Sequence, residues 1–114
     1  MQSWSRRKRR DTLLFLAENY VKLNRFGDAL LAIEKSWLVT EEITRIGEGR
    51  KDPAKRLQVG HLYATLALQQ GQLEKARALA SSFAADPANS NDVASMDHTT
   101  LQTFFDDVKR RSPP

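Results

Sequence analysis

From Leu13 onward the large apolar residues of this chain return every three or four positions, and no stretch alternates apolar with polar residues at period two. A spacing near 3.6 places such residues on one face of a helix, whereas a half-buried strand needs alternation. That single feature removes sheets, sandwiches and barrels and leaves an all-α fold. The 114 residues suit one domain, and 40% hydrophobic with 28% charged residues suits a chain that buries a core.

The punctuation divides the chain into two hairpins and a final helix. Leu13, Leu16, Ala17, Tyr20 and Leu23 form the first apolar face, with Asp11 or Thr12 as the expected N-cap. Asn24-Arg25-Phe26-Gly27 reads as a tight turn, and Asp28 as the cap of a second helix reaching Ile46, supported by a Glu41–Arg45 pair. Gly47-Glu48-Gly49 through Pro53 breaks the pattern. A third helix is predicted over Ala54–Gln70, a turn at Gly71, and a fourth helix over Leu73–Ala85, ended by Asp86-Pro87. A polar stretch over 86–98 reads as a loop. Thr99–Arg110, with Leu101, Phe104, Phe105 and Val108 on one stripe, reads as the last helix. The expected organisation is a basic flexible arm over 1–10, a helical domain over 11–110 and a tail over 111–114.

The two hairpins share a pattern. Leu13, Leu16, Ala17, Tyr20, Asn24, Phe26, Ala29 and Ile33 in the first match Gly60, Tyr63, Ala64, Ala67, Gly71, Leu73, Ala76 and Ala80 in the second. Small residues at Ala17, Ala29, Ala64 and Ala76 would let paired helices cross closely. The pattern resembles the tetratricopeptide repeat over residues 11–46 and 57–88, and Pro87 falls near that family's usual proline. The spacing departs from the family: Ala29 and Ala76 lie 47 apart, where the family repeats every ~34 residues. The resemblance implies antiparallel hairpins stacked as a short right-handed array. A repeat does not cover its own apolar face, so the last helix is expected to act as a cap.

Charge is concentrated at one end. Arg6, Arg7, Lys8, Arg9 and Arg10 are five of 18 basic residues, and without them 13 basic residues face 14 acidic ones. A cation run of this kind can bind phosphate backbone or an anionic surface in a salt-sensitive way, or serve as a nuclear localisation tract. Ser5-Arg6-Arg7 resembles the start of a twin-arginine signal, but Leu13–Ala17 is shorter than the ~7–15 residues of a signal's apolar region. The chain is therefore expected to be cytoplasmic, and no apolar run approaches the ~18 residues of a membrane span.

Catalytic signatures are sparse. The absence of cysteine excludes a disulfide framework, a thiolate metal site and a cysteine nucleophile. His61 and His98 are the two histidines, and neither lies in a metal-binding or nucleophile motif. Gly47-Glu48-Gly49 lacks the lysine and hydroxyl residue of a phosphate loop, and Asp106-Asp107 reads as a solvated face. The expectation is a non-enzymatic domain without metal or cofactor. The resemblance implies a concave groove on the first helix of each hairpin, holding a peptide or amphipathic helix of a partner protein. Its positions here would be Leu14, Glu18, Val21 and Lys22, then His61, Thr65 and Leu68. Leu14 and Glu18 stand where some family members carry the lysine and asparagine of a carboxylate clamp, so a clamp for chaperone tails is not expected. A small secretion-type chaperone, an assembly adaptor or a scaffold subunit fits the same features. The long second helix, with Trp37 and Phe15, offers an interface to a partner or to a second copy.

Overall fold

The computed structural model describes residues 5–46, 53–83 and 96–111. These residues form five helices and no strand: α1 (Arg6–Lys22), α2 (Phe26–Ile46), α3 (Pro53–Gln69), α4 (Leu73–Phe83) and α5 (His98–Arg111). α1 packs on α2, α2 on α3, and α3 on α4, while α5 lies against both α3 and α4. The Gly47–Asp52 break and the segment from Ala84 to Ser95, including Pro87, lie outside the described residues, as do residues 1–4 and the tail after Arg111.

α1 starts earlier than its apolar pattern predicts. Ser5 is the N-cap, its hydroxyl oxygen accepting the Lys8 N–H at 3.2 Å, so Arg6–Arg10 are helical and not a separate arm. Periodicity places a helix start at its first apolar residue, here Leu13. Arg and Lys are nevertheless good helix formers, and a capping serine extends the helix back through them. The cation cluster is also partly committed to the fold. Arg10 is buried and pairs with Asp11 at 2.9 Å. Its backbone carbonyl accepts the Ser36 hydroxyl of α2 at 2.9 Å. Arg6 Nε donates to Glu42 Oε1 at 2.9 Å, joining the far ends of the two helices.

Both hairpins turn through the same hydrogen-bonded motif. In the first, Arg25 N–H donates to Tyr20 O at 2.8 Å and Asn24 N–H to Val21 O at 3.0 Å, with Asn24 left-handed at φ 60°. In the second, Gln72 N–H donates to Ala67 O at 2.8 Å and Gly71 N–H to Leu68 O at 3.1 Å, with Gly71 at φ 72°. This is a Schellman closure, in which a left-handed residue lets two orphan carbonyls at the helix end be satisfied. Asp28 proves to be in the first turn of α2, not its cap: Ala29 N–H donates to Arg25 O, and Asp28 pairs with Arg25 at 2.6 Å. Asp97 does cap α5, accepting the Thr100 N–H at 2.8 Å.

The core runs through all five helices. Ala17, Ala29, Ala64 and Ala76 are fully buried, as close helix crossings require, and Ile33, Val59, Leu66, Leu101 and Phe105 fill the space around them. A chain of rings connects the layers: Trp37 to Phe83 at 5.4 Å, Phe83 to Phe105 at 6.2 Å, and Phe105 to Phe104 at 5.2 Å. Trp37 thus belongs to the core rather than to an open interface. Arg56 lies 4.4 Å above the Phe83 ring and 5.3 Å above Trp37, and donates to Ser82 O at 3.1 Å. Glu41 approaches Arg56 at 3.9 Å instead of pairing with Arg45 along α2.

Candidate binding groove

α1 and α3 leave an open cleft of about 290 Å³ between them, with α5 contributing to its wall. Leu14, Glu18, Val21 and Lys22 of α1 line it, together with Gln58, His61 and Leu62 of α3 and Lys109 of α5. The floor is apolar: Leu14 is buried, and Val21 and Leu62 are half-buried. The rim is polar, with Glu18, Lys22, Gln58 and Lys109 exposed. The arrangement arises because Glu18 lies four residues after Leu14, and Val21 and Lys22 lie three and four residues after Glu18, all on one side of α1.

Five of the seven positions predicted for the groove therefore come together. Thr65 and Leu68 do not line it. α3 is packed on by α2, α4 and α5, so only the strip with Gln58, His61 and Leu62 is left to the cleft. Leu68 is a core residue, 2% exposed. The Thr65 hydroxyl is buried and has no hydrogen-bond partner. Gln58 and Leu62 were within reach of the helical spacing around His61. Lys109 was not, because it arrives from α5 at the other end of the chain.

His61 is held at the seam between α3 and α5. Its Nε2 lies 2.9 Å from Asp106 Oδ1, and Gln102 Nε2 donates to the same oxygen at 3.1 Å. The His61 hydrogen bond, and after it that of Gln102, holds the Asp106 carboxyl below the usual carboxylate range. Among the described residues no hydroxyl or thiol side chain lines the cleft beside His61. Among the described residues no cluster of three or more histidine and acidic side chains is placed to hold a metal ion. A second cavity, of about 370 Å³, shares no residue with the groove and is lined by Trp37, Tyr63, Lys75 and Leu79 among others. Burial raises the Tyr63 hydroxyl there, and Lys75 is raised by its hydrogen bond to Glu34.

Three hydrogen-bonded carboxylates are placed to give stability an acid limit. Glu42 is lowered by the hydrogen bond from Arg6, Asp97 by the Thr100 N–H, and Asp106 by His61. Each binds its proton less readily folded than unfolded. The stability it contributes is full above the ordinary carboxylate range near ~4 and is lost as pH falls through and below it. Melting temperature should therefore be level towards neutrality and drop below about pH 4.5. Glu42→Gln, Asp97→Asn and Asp106→Asn should each flatten the drop, as read by circular dichroism melts from pH 7 to pH 2.5. An unchanged slope in all three would show that other groups set the acid limit.

No helix among the described residues is long and apolar enough to cross a membrane. Comparison with known protein families, curated proteins and solved structures finds no match for the chain.

Proposed function

We propose that this domain is a protein-interaction module, a tetratricopeptide-like pair of helical hairpins whose α1–α3 groove receives a peptide or amphipathic helix from a partner. The observation that carries the reading is the groove itself, with Leu14, Val21 and Leu62 beneath a rim of Glu18, Lys22, Gln58 and Lys109. An apolar floor with a charged rim suits the apolar anchors of a helix laid into a groove. The equivalent turns support the repeat: Tyr20, Val21, Asn24 and Arg25 in the first correspond to Ala67, Leu68, Gly71 and Gln72 in the second. α5 takes the place of a cap on the second hairpin. A small chaperone or assembly adaptor is the role such a module would fill.

The test is a photocrosslinking residue introduced in the native cell at Lys22 or Gln58, with Lys8 and Arg9 as comparison positions. One discrete protein adduct from the groove positions, lost in a Val21→Asp background that still melts cooperatively, is the expected result. Adducts confined to Lys8 and Arg9, with nucleic acid as the captured species, would instead place binding on the cation cluster and overturn the groove reading.

A further inference from the structure

The six large apolar side chains that the described structure leaves exposed are Phe15, Leu16, Leu23, Leu31, Leu38 and Ile46. All belong to the first hairpin, and three lie on α2. Leu31 is 58% exposed, Leu38 67% and Ile46 46%. Lys35 and Arg45 are exposed as well, and Glu42 is partly so. Leu31, Lys35, Leu38, Val39, Glu42 and Ile46 lie within about 100° of one another around α2, with Val39 half-buried. They form one outward face that runs most of the length of a helix about 30 Å long. A helix that needed only its own fold would not leave Leu31, Leu38 and Ile46 exposed together on such a face.

The sequence of that stripe is complementary to itself read backwards. In an antiparallel pair of α2 helices related by a two-fold axis beside Leu38 and Val39, Leu31 faces Ile46 of the second copy. Lys35 then faces Glu42, and Leu38 faces Val39. A two-fold axis makes every contact twice, so both Lys35–Glu42 pairs form at once. A parallel, in-register pair would set Lys35 on Lys35 and Glu42 on Glu42, which like-charge repulsion disfavours. The Arg6 hydrogen bond does not exhaust Glu42, because a carboxylate has about four acceptor sites.

We propose that the outer stripe of α2 is a homodimer interface, with two copies packed antiparallel through Leu31, Lys35, Leu38, Glu42 and Ile46. None of these residues lines the α1–α3 groove, so the dimer presents two open grooves and stands independently of what they bind.

Sedimentation equilibrium on the full chain over a wide concentration range tests this. The wild-type chain should be dimeric. Leu38→Glu should be monomeric, still helical and cooperatively melting, with the concentration dependence of the wild-type melting temperature abolished, because Leu38 makes its contacts outside its own fold. Lys35→Glu should weaken the dimer about tenfold or more, since it sets like charges together twice. Glu42→Lys should do the same. Mixing Lys35→Glu with Glu42→Lys should restore a dimer containing one of each, because every pair across that interface is again opposite in charge. A wild-type chain that stays monomeric, a dimer indifferent to Leu38→Glu, or a mixture that fails to pair would overturn the proposal.

Discussion

Phe105→Ala should lower the unfolding free energy by about 3–5 kcal/mol, a large share of the ~5–15 kcal/mol typical of a domain. Phe105 is 1% exposed and is the largest fully buried side chain among the described residues. Its ring touches Phe83 of α4 edge-on and Phe104 beside it, so truncation removes buried area and two aromatic contacts and leaves a cavity. Among the described residues α5 packs chiefly on α3 and α4. The loss should also reach the groove, since α5 supplies Lys109 and the Asp106 partner of His61. Urea unfolding followed by circular dichroism gives the free energy. Amide exchange should show α5 opening first, with the α1–α2 hairpin nearly unchanged. A loss under about 1 kcal/mol with α5 protection intact would mean that α5 is held by its polar seam instead.

Gly60→Val should cost about 2–3 kcal/mol, near the top of the range for overpacking a closed core. A Cβ at Gly60 would lie 2.5 Å from Phe83 Cζ and 3.4 Å from Trp37 Cζ3. Phe83 has little room to retreat, because Arg56 lies over its ring and Phe105 and Trp37 stand beside it. Gly60→Ala should cost less. A helical alanine recovers up to about 1 kcal/mol of backbone propensity against the same clash. Adding Phe83→Leu to Gly60→Ala should narrow the difference by opening space. Thermal and urea melts of the three variants check this. A Gly60→Ala protein more stable than wild type would show that the Phe83 ring can turn aside.

The helical class and most helix ends were legible from local physics. The return of apolar residues at Leu101 and Phe105 and the turns at Asn24 and Gly71 are settled within a few residues of chain. α1 is the instructive exception. Its start at Ser5 carries no apolar signal, and only packing against α2 shows why Arg10 is buried and Arg6 faces Glu42. Leu14, Glu18, Val21 and Lys22 were given by the resemblance, and they line the cleft together because one helical face is a local property. The other side could not be read in full. Leu68 and Thr65 are withdrawn from the groove by the helices packed on α3, and Lys109 is added to it by where α5 docks. Residues tens of positions apart set that docking, through the fit of Phe105 against Phe83 and the His61–Asp106 contact. Sequence by itself determined the helices and most of their ends, since these follow from backbone geometry and neighbours one turn away, whereas Leu16 and Leu23, read as part of the first apolar face, are exposed. Which faces were buried, which stripe of α2 stayed open, and what walls the cleft were decided by tertiary packing, where shape and charge meet across the chain.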